Sequence, residues 1–520
     1  MEISRRAANG DAVSDRGGID LGDMPFRVFA AAFVALLLAA CIPLFLTPLP
    51  PLVDYPNHLA RMHLLAALSG SPTLRQYYAL AWRPLPDLAM DVLVPPLLGV
   101  VSLSTAGKLF LIATYVSSTG GVAVLHRTLH GRWSAWSLTA FLLVYNRLLL
   151  WGFVNFLFGL GLAFCALAGW IALRERGVAV RLGFGVFATL AVYFAHLMAF
   201  GIFGAMIVGY EAGHLRRDRS AAAVLVLLLS FLPSLALFTT TFVPLHAATA
   251  IGAGIRFARP VRKLDLPFSI FDLYSRPFDI ACFALAVIGA AFAYWCGWLR
   301  VASTAAAPLI VLALLYAVMP DTLFGATGAD RRMPLAMALL LIGGSAWQAP
   351  FVRQGRLFLS AAFALFALRL GVVAAMWQSS GALYGDLLAG LDTLPVGAPV
   401  AVAFADAEVN VEAMPLLHFP VLAIARRDAF VPTLFTYATQ QPVAFTRAYG
   451  AIADQLSASA LWRFYVGGAP LPPQVSRALA HCRYITFAGR QPFTLRAGSG
   501  LQPVFISPRF QIYRLPGTPT

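Results

Sequence analysis

Charge is scarce in this chain. Only 12% of its 520 residues are Asp, Glu, Lys or Arg, while 59% are apolar. That balance excludes an ordinary soluble globular protein. Cysteine offers no framework either. Cys41, Cys165, Cys282 and Cys296 lie in apolar runs and Cys482 stands alone, with no spacing of metal-ligand type. A lone Cys482 fits an oxidising compartment, since it has no partner to pair with. An internal repeat of fixed period is missing, as is any low-complexity tract beyond the polar segment Met1 to Met24. Cys41-Ile42-Pro43 supplies no small-residue cleavage site, so the first apolar run reads as an anchor that stays.

Apolar runs of about 20 residues, the length that crosses a bilayer, recur from Phe26 to Trp377. The net charge of +15 does not point to nucleic acid, because most arginines fall in short gaps between those runs. Spans are expected near Arg27–Leu46, Thr105–Leu125, Ser134–Leu150, Phe153–Leu173, Arg181–His196, the return to His214, Ala221–Val243, Phe278–Trp298, Ala305–Met319, Pro334–Trp347 and Leu357–Trp377. Arg5, Arg6 and Arg16 place the start of the first span in the cytoplasm. Arg132, Arg174, Arg176, Arg181, Arg216, Arg217, Arg219, Arg300, Arg353 and Arg356 then fall on that same side. The loop His246–Arg276 breaks the pattern with Arg256, Arg259, Arg262, Lys263 and Arg276 on the opposite side. An anionic ligand is one reason for it.

The fold class expected is an α-helical polytopic membrane protein of about 11 transmembrane helices with a small C-terminal extracytoplasmic α/β domain. Residues 1–25 read as a disordered cytoplasmic N-terminus and 26–380 as the transmembrane domain, including a proline-broken outer loop over 47–104. Residues 385–520 read as the α/β domain. Its β-like runs are Pro399–Phe404, Tyr484–Phe487, Pro503–Ile506 and Phe510–Arg514, with helices at Ser457–Tyr465 and Gln474–His481. The setting implied is a bacterial inner membrane.

The stretch Pro51–Leu68 holds Asp54, His58 and Arg61 within two helical turns. Pro56 suits an early helical position, which sets Asp54 at the helix start, where backbone N–H groups favour a carboxylate. His58 and Arg61 then share one face. The bland alternative is a capped interfacial helix. Asn155, His196, Asp330, Arg331 and Arg332 fall at the same outer end of the bundle. Ionisable groups at membrane depth are costly and default to functional candidates. Each also has a plainer reading: a cap or interhelical hydrogen bond for Asn155, a packing histidine for His196, and a snorkelling helix start for Asp330 to Arg332. Those readings do not explain why all choose one side.

The layout of a first span, an outer loop opening with an aspartate on an amphipathic helix, and proline-broken surface helices resembles the GT-C glycosyltransferases. Asp54-Tyr55-Pro56-Asn57-His58-Leu59-Ala60-Arg61 is similar to the D-x-x-x-H-L-x-R form of oligosaccharyltransferase-like members. The resemblance implies an inverting transfer from a lipid-phosphate sugar donor to an acceptor at the outer face, with membrane lipid as a further partner. It casts Asp54 and His58 as catalytic, Asp54 as base or ligand of a divalent cation (Mg or Mn), and His58 as its orienter or an acceptor contact. Arg331 and Arg332 become the phosphate clamps, because guanidinium binds phosphate in a bidentate way, with Arg61 and the basic loop around Arg259 to Lys263 as second choices. Asn155, His196 and Asp330 complete the substrate-binding set. Many members carry Asp-Glu where this chain has Asp54-Tyr55, and Asp87, Asp91 or Asp330 could supply the missing carboxylate. Two rivals remain: a flippase or transporter for an anionic or polyprenyl-linked lipid, and a non-catalytic envelope assembly protein. A transporter calls for internal repeats and midplane charges, and the midspan sequences here are Leu, Ala, Phe and Gly.

Overall fold

A computed structural model describes residues 22–215, 221–248, 255–324, 326–348, 352–405, 416–489 and 491–516. Arg5, Arg6, Arg16, Arg216, Arg217 and Arg219, along with the N-terminal segment before Gly22, lie outside the described residues.

Helix α1, Phe26–Phe45, is apolar after Arg27 and crosses from the Met24 end of the bundle to the Asp54 end. The outer loop follows: α2 (Tyr55–Ala67), α3 (Pro72–Tyr77), strand β1 (Tyr78–Leu80), the short α4 (Ala89–Leu93) and a 3-10 turn at Pro95–Gly99. Prolines at helix starts set these pieces apart, since each lacks a donor that a first turn leaves unpaired. Helix α5, Leu103–His130, runs back and ends at Gly131 in the left-handed conformation.

The span expected at Ser134–Leu150 is not one helix. It consists of a 3-10 stretch, Ser137–Leu143, and then α6, Arg147–Trp151, separated by Asn146. The Asn146 side chain accepts from the N–H groups of Leu148 and Leu149 and donates to Leu143 O. Local bonding by an asparagine side chain competes with the helix. The segment still runs from end to end: Met24 N–H bonds Trp133 O at one side, and Val53 N–H bonds Leu150 O at the other. Broken backbone at this depth is tolerated because the segment is buried in protein.

Next come α7 (Val154–Ala172), α8 (Val178–Ala195), α9 (Leu197–Leu215), α10 (Ala221–Leu237), α11 (Val243–Ala248), α12 (Arg262–Asp265), α13 (Arg276–Trp295) and β2 (Leu299–Val301). Then follow α14 (Ser303–Val318), the hairpin β3 (Thr322–Leu323) and β4 (Ala326–Thr327), α15 (Arg332–Gly344), β5 (Ser345–Trp347) and α16 (Val352–Asp392). Among the described residues, eight helices are long and apolar enough to cross a membrane, and α14 and α15 are shorter apolar helices. This is a multi-pass membrane protein. At the Met24 end, Glu211 of α9 accepts from Arg174, Arg181 and Trp170, so three helix ends share one buried carboxylate.

Past α16 lie β6 (Val400–Phe404), α17 (Ala423–Arg427), β7 (Val443–Phe445), α18 (Arg447–Gln455), α19 (Ala458–Tyr465), α20 (Pro473–Leu479), β8 (Tyr484–Ala488), β9 (Gln502–Ile506) and β10 (Phe510–Arg514). Strands β6, β8, β10 and β9 form one sheet in that order, with β6 parallel to β8 and the other pairs antiparallel. Strand β1 of the outer loop pairs with β7, which stitches this C-terminal unit to the loop. The 3-10 turn Phe419–Leu422 and α17 then pack over α2.

Candidate active site

Helix α2 is held from two sides. Below it, Gly107 of α5 leaves room for Tyr55 and Leu59; a Cβ there would lie 2.3 Å from the Tyr55 hydroxyl. Leu59 and Met62 are buried as the helical spacing predicts, whereas Ala66 is exposed. Above it, Phe435 N–H donates to the Asn57 side chain at 2.9 Å. The C-terminal unit therefore covers the Asn57 face of α2.

Asp54 sits at the start of α2, yet its side chain makes no capping hydrogen bond. The plain reading as a cap therefore fails for the carboxylate. The backbone is pinned instead: Asp54 N–H donates to Trp151 O at 3.1 Å. Gly152, in the left-handed conformation at φ +88°, lies so close that a Cβ would come within 2.9 Å of Asp54 N. The carboxylate faces His418 of the C-terminal unit, with Oδ1 3.5 Å from Nε2. Burial pushes Asp54 up to about 7, against the opposing pull of the Arg332 and Arg61 charges. Burial pushes His418 down to about 4 and keeps it neutral.

His58 is locked rather than presented. Its Nδ1 accepts from Arg61 Nη2 at 3.0 Å, since arginine only donates, and its Nε2–H donates to Gly152 O at 3.2 Å. Burial and the Arg61 charge lower it to about 3. Arg61 is itself bound to Asp91 through Nε at 2.6 Å and Nη2 at 3.1 Å, both side chains out of solvent. The Arg61–Asp91 pair thus fixes His58, His58 fixes Gly152, and Gly152 fixes Asp54. Asp91 is spent on Arg61 and is not a second carboxylate for Asp54.

Asn155 is also structural in its contacts. Its oxygen accepts from Met90 N–H at 3.0 Å and its amide donates to Asp87 O at 2.6 Å, which ties α4 to α7. His196 closes α8 and accepts from Met198 N–H at Nδ1, leaving the proton on Nε2. Burial lowers it to about 4. Asp87, at φ +70°, accepts from Leu197 N–H and stands 3.6 Å from His196.

Arg332 joins these parts. Its guanidinium lies 4.4 Å over the Phe153 ring and donates to Thr327 O at 3.1 Å. It carries a Coulombic link to Asp54, Asp87 and Asp330. Arg332, Asp87, His196 and Gln440 form the polar end of a cavity of about 420 Å³ whose remaining wall is apolar: Phe200, Leu235, Phe238, Leu315 and Phe324 among others. Asn155 is not part of the lining of this cavity. Arg331 stacks 4.8 Å over Trp151, the residue whose carbonyl pins Asp54. Asp330 is fully buried on the other side of the hairpin, near Lys263, Arg262 and Asp321.

Among the described residues, the donor set around Asp54 does not fit a divalent cation. Its charged and titratable neighbours there are the neutral His418 imidazole, the Tyr437 hydroxyl and the Arg332 and Arg61 guanidinium charges. Among the described residues, no group of three or more His, Cys, Asp or Glu side chains is placed to hold a metal. Sequence reasoning missed His418 and Gln440. Their only signals were a histidine wedged in the apolar run Leu416–Phe419 and a polar pair, Gln440-Gln441, before β7.

At the level of sequence, no protein-family model and no curated protein matches the chain. Solved structures do. The crystal structure of ArnT from Cupriavidus metallidurans in the apo state superposes with a TM-score of 0.55 at 13% identity, covering 94% of this chain and 98% of that one. The same protein bound to undecaprenyl phosphate gives a TM-score of 0.52 at 13% identity, over 95% of this chain and 100% of the other. The chain has the fold of these ArnT structures.

Proposed function

We propose that this protein is a membrane glycosyltransferase that moves a sugar from a polyprenyl-phosphate donor to an acceptor hydroxyl, on the face of the membrane that carries Asp54. One observation carries the reading. An apolar cavity between α9, α10 and α14 ends in Arg332 and His196, and the Arg332 charge also acts on the Asp54 carboxylate. A lipid tail with one phosphate head matches that shape, and undecaprenyl phosphate is what the similar ArnT structure holds.

In this reading the acceptor hydroxyl attacks the anomeric carbon while Asp54 takes its proton. The bond from the anomeric carbon to the phosphate oxygen breaks, and the polyprenyl phosphate leaves with one more negative charge. Arg332 stabilises that charge in a site with little water. Arg331, stacked on Trp151, is the second clamp. His418 holds Asp54 Oδ1, which leaves Oδ2 to face the acceptor. A single displacement inverts the anomeric centre.

The proposal includes orientation: the N-terminus in the cytoplasm and the C-terminal unit outside the inner membrane. The positive-inside sorting of Arg132, Arg174, Arg176, Arg300, Arg353 and Arg356 supports it. The test is binding of undecaprenyl phosphate to the purified protein. Wild type should bind and Arg332→Gln should bind at least tenfold more weakly, as expected for loss of a charge-assisted contact of roughly 1.5–3 kcal/mol. Equal binding by both would remove the phosphate site from Arg332.

A further inference from the structure

The segment from Ile255 to Leu264 is unexplained by the transfer site. It lies on the Asp54 side, where the positive-inside rule predicts few arginines, yet it carries Arg256, Arg259, Arg262 and Lys263. It is tied down at both ends. Arg256 and Thr322 exchange backbone hydrogen bonds at 3.1 Å each. The Lys263 ammonium donates to Tyr316 O at 2.7 Å and Met319 O at 2.6 Å, capping the end of α14. Lys263 is thus used internally, and Arg262 leans on Asp321 at 3.9 Å.

What remains faces outward with two chemistries interleaved. Arg256 and Arg259 are exposed. So are four large apolar side chains: Ile255 at 61%, Phe257 at 64%, Val261 at 66% and Leu264 at 80%. Asp265 is the one acid from Ile255 to Asp265. A protein surface in water does not gather exposed apolar groups this densely without a partner. A surface within the bilayer core does not hold exposed arginines. Both are satisfied at the level of lipid headgroups, where apolar side chains enter the acyl boundary and guanidinium groups meet phosphate.

We propose that Ile255–Leu264 is an interfacial strap that binds anionic phospholipid headgroups of the leaflet on the Asp54 side. The exposed charge is one-signed at two positions: Arg256 and Arg259 face out, Arg262 is half-buried against Asp321, and Asp265 is the other nearby acid. Position gives the strap a use. It pairs with the hairpin whose Leu323 and Ala326 line the lipid-shaped cavity. Anionic lipid gathered there raises the local concentration of phosphate-bearing lipid at the cavity rim. The proposal stands apart from the transfer reaction, because lipid binding is measured without turnover.

The experiment uses the full-length protein in nanodiscs of phosphatidylcholine with phosphatidylglycerol, followed by counting of lipids retained by the protein in native mass spectrometry. Wild type should retain phosphatidylglycerol over phosphatidylcholine. Arg256→Gln and Arg259→Gln should each lower that preference about fivefold, the effect of one basic residue near an anionic surface. Phe257→Ser with Leu264→Ser should lower retention of both lipids alike. An unchanged melting temperature in detergent shows that each variant is folded. Equal retention of the two lipids by wild type, or an unaltered preference in the folded arginine variants, overturns the proposal.

Discussion

His418 reaches from the C-terminal unit to within 3.5 Å of the Asp54 carboxylate, so the site at the start of α2 is built from both ends of the chain. His418→Ala should lower kcat by about tenfold to a hundredfold, the range for a group that orients a catalytic one. KM for the donor should change little, because His418 is not in the cavity lining. His418→Gln, which keeps a side-chain N–H, should restore part of the loss. Steady-state kinetics on the two variants separates orientation from mere folding: equal loss in both would point to a packing role.

The pH profile follows from Asp54. A base works only when deprotonated, and burial sets this carboxyl at about 7. kcat/KM should therefore fall as pH drops through about 7. Arg332 holds the value down by its charge, so Arg332→Gln should move the acid limb to higher pH as well as weaken donor binding. An acid limb near pH 4 in wild type would show that Asp54 is solvated in the working enzyme.

Gly152 should not tolerate a side chain. Its φ of +88° strains any L-residue, and its Cβ would meet Asp54 backbone at 2.9 Å. Gly152→Ala should cut kcat by about a hundredfold through misplacement of Asp54, while the protein still inserts and purifies. The check is activity at matched expression.

The Arg61–Asp91 pair is structural. Asp91→Asn leaves a buried guanidinium without its counter-charge, a loss of about 3–5 kcal/mol for a broken buried pair. A lower melting temperature in detergent is expected, together with lost activity, since His58 and Gly152 hang on Arg61.

Much of this was readable from residues. The apolar runs mark most of the spans, and the four strands of the C-terminal sheet fall on the four β-like runs. Asp54 was marked by its place at a helix start, and Arg332 by its place at the outer end. The sequence could not show Ser134–Leu150 broken at Asn146, because its apolar pattern equals that of a helix while a side-chain bond decides the break. Nor could it show that His58 and Arg61 are occupied. Residues three apart on a helix face were expected to point at substrate, but Asp91, brought in from α4, takes the guanidinium. His418 was hidden for the same reason: no local pattern relates it to a residue at the other end of the chain.

Transfer itself is the most direct test of Asp54 as the base. Purified wild type and Asp54→Asn are reconstituted into proteoliposomes with a radiolabelled polyprenyl-phosphate sugar and envelope lipid extract as acceptor. Wild type should form labelled product and Asp54→Asn should lose about 10²–10⁴-fold, with donor binding retained. Label that crosses the bilayer on an unaltered donor, at equal rates in both proteins, would contradict that role and identify a flippase.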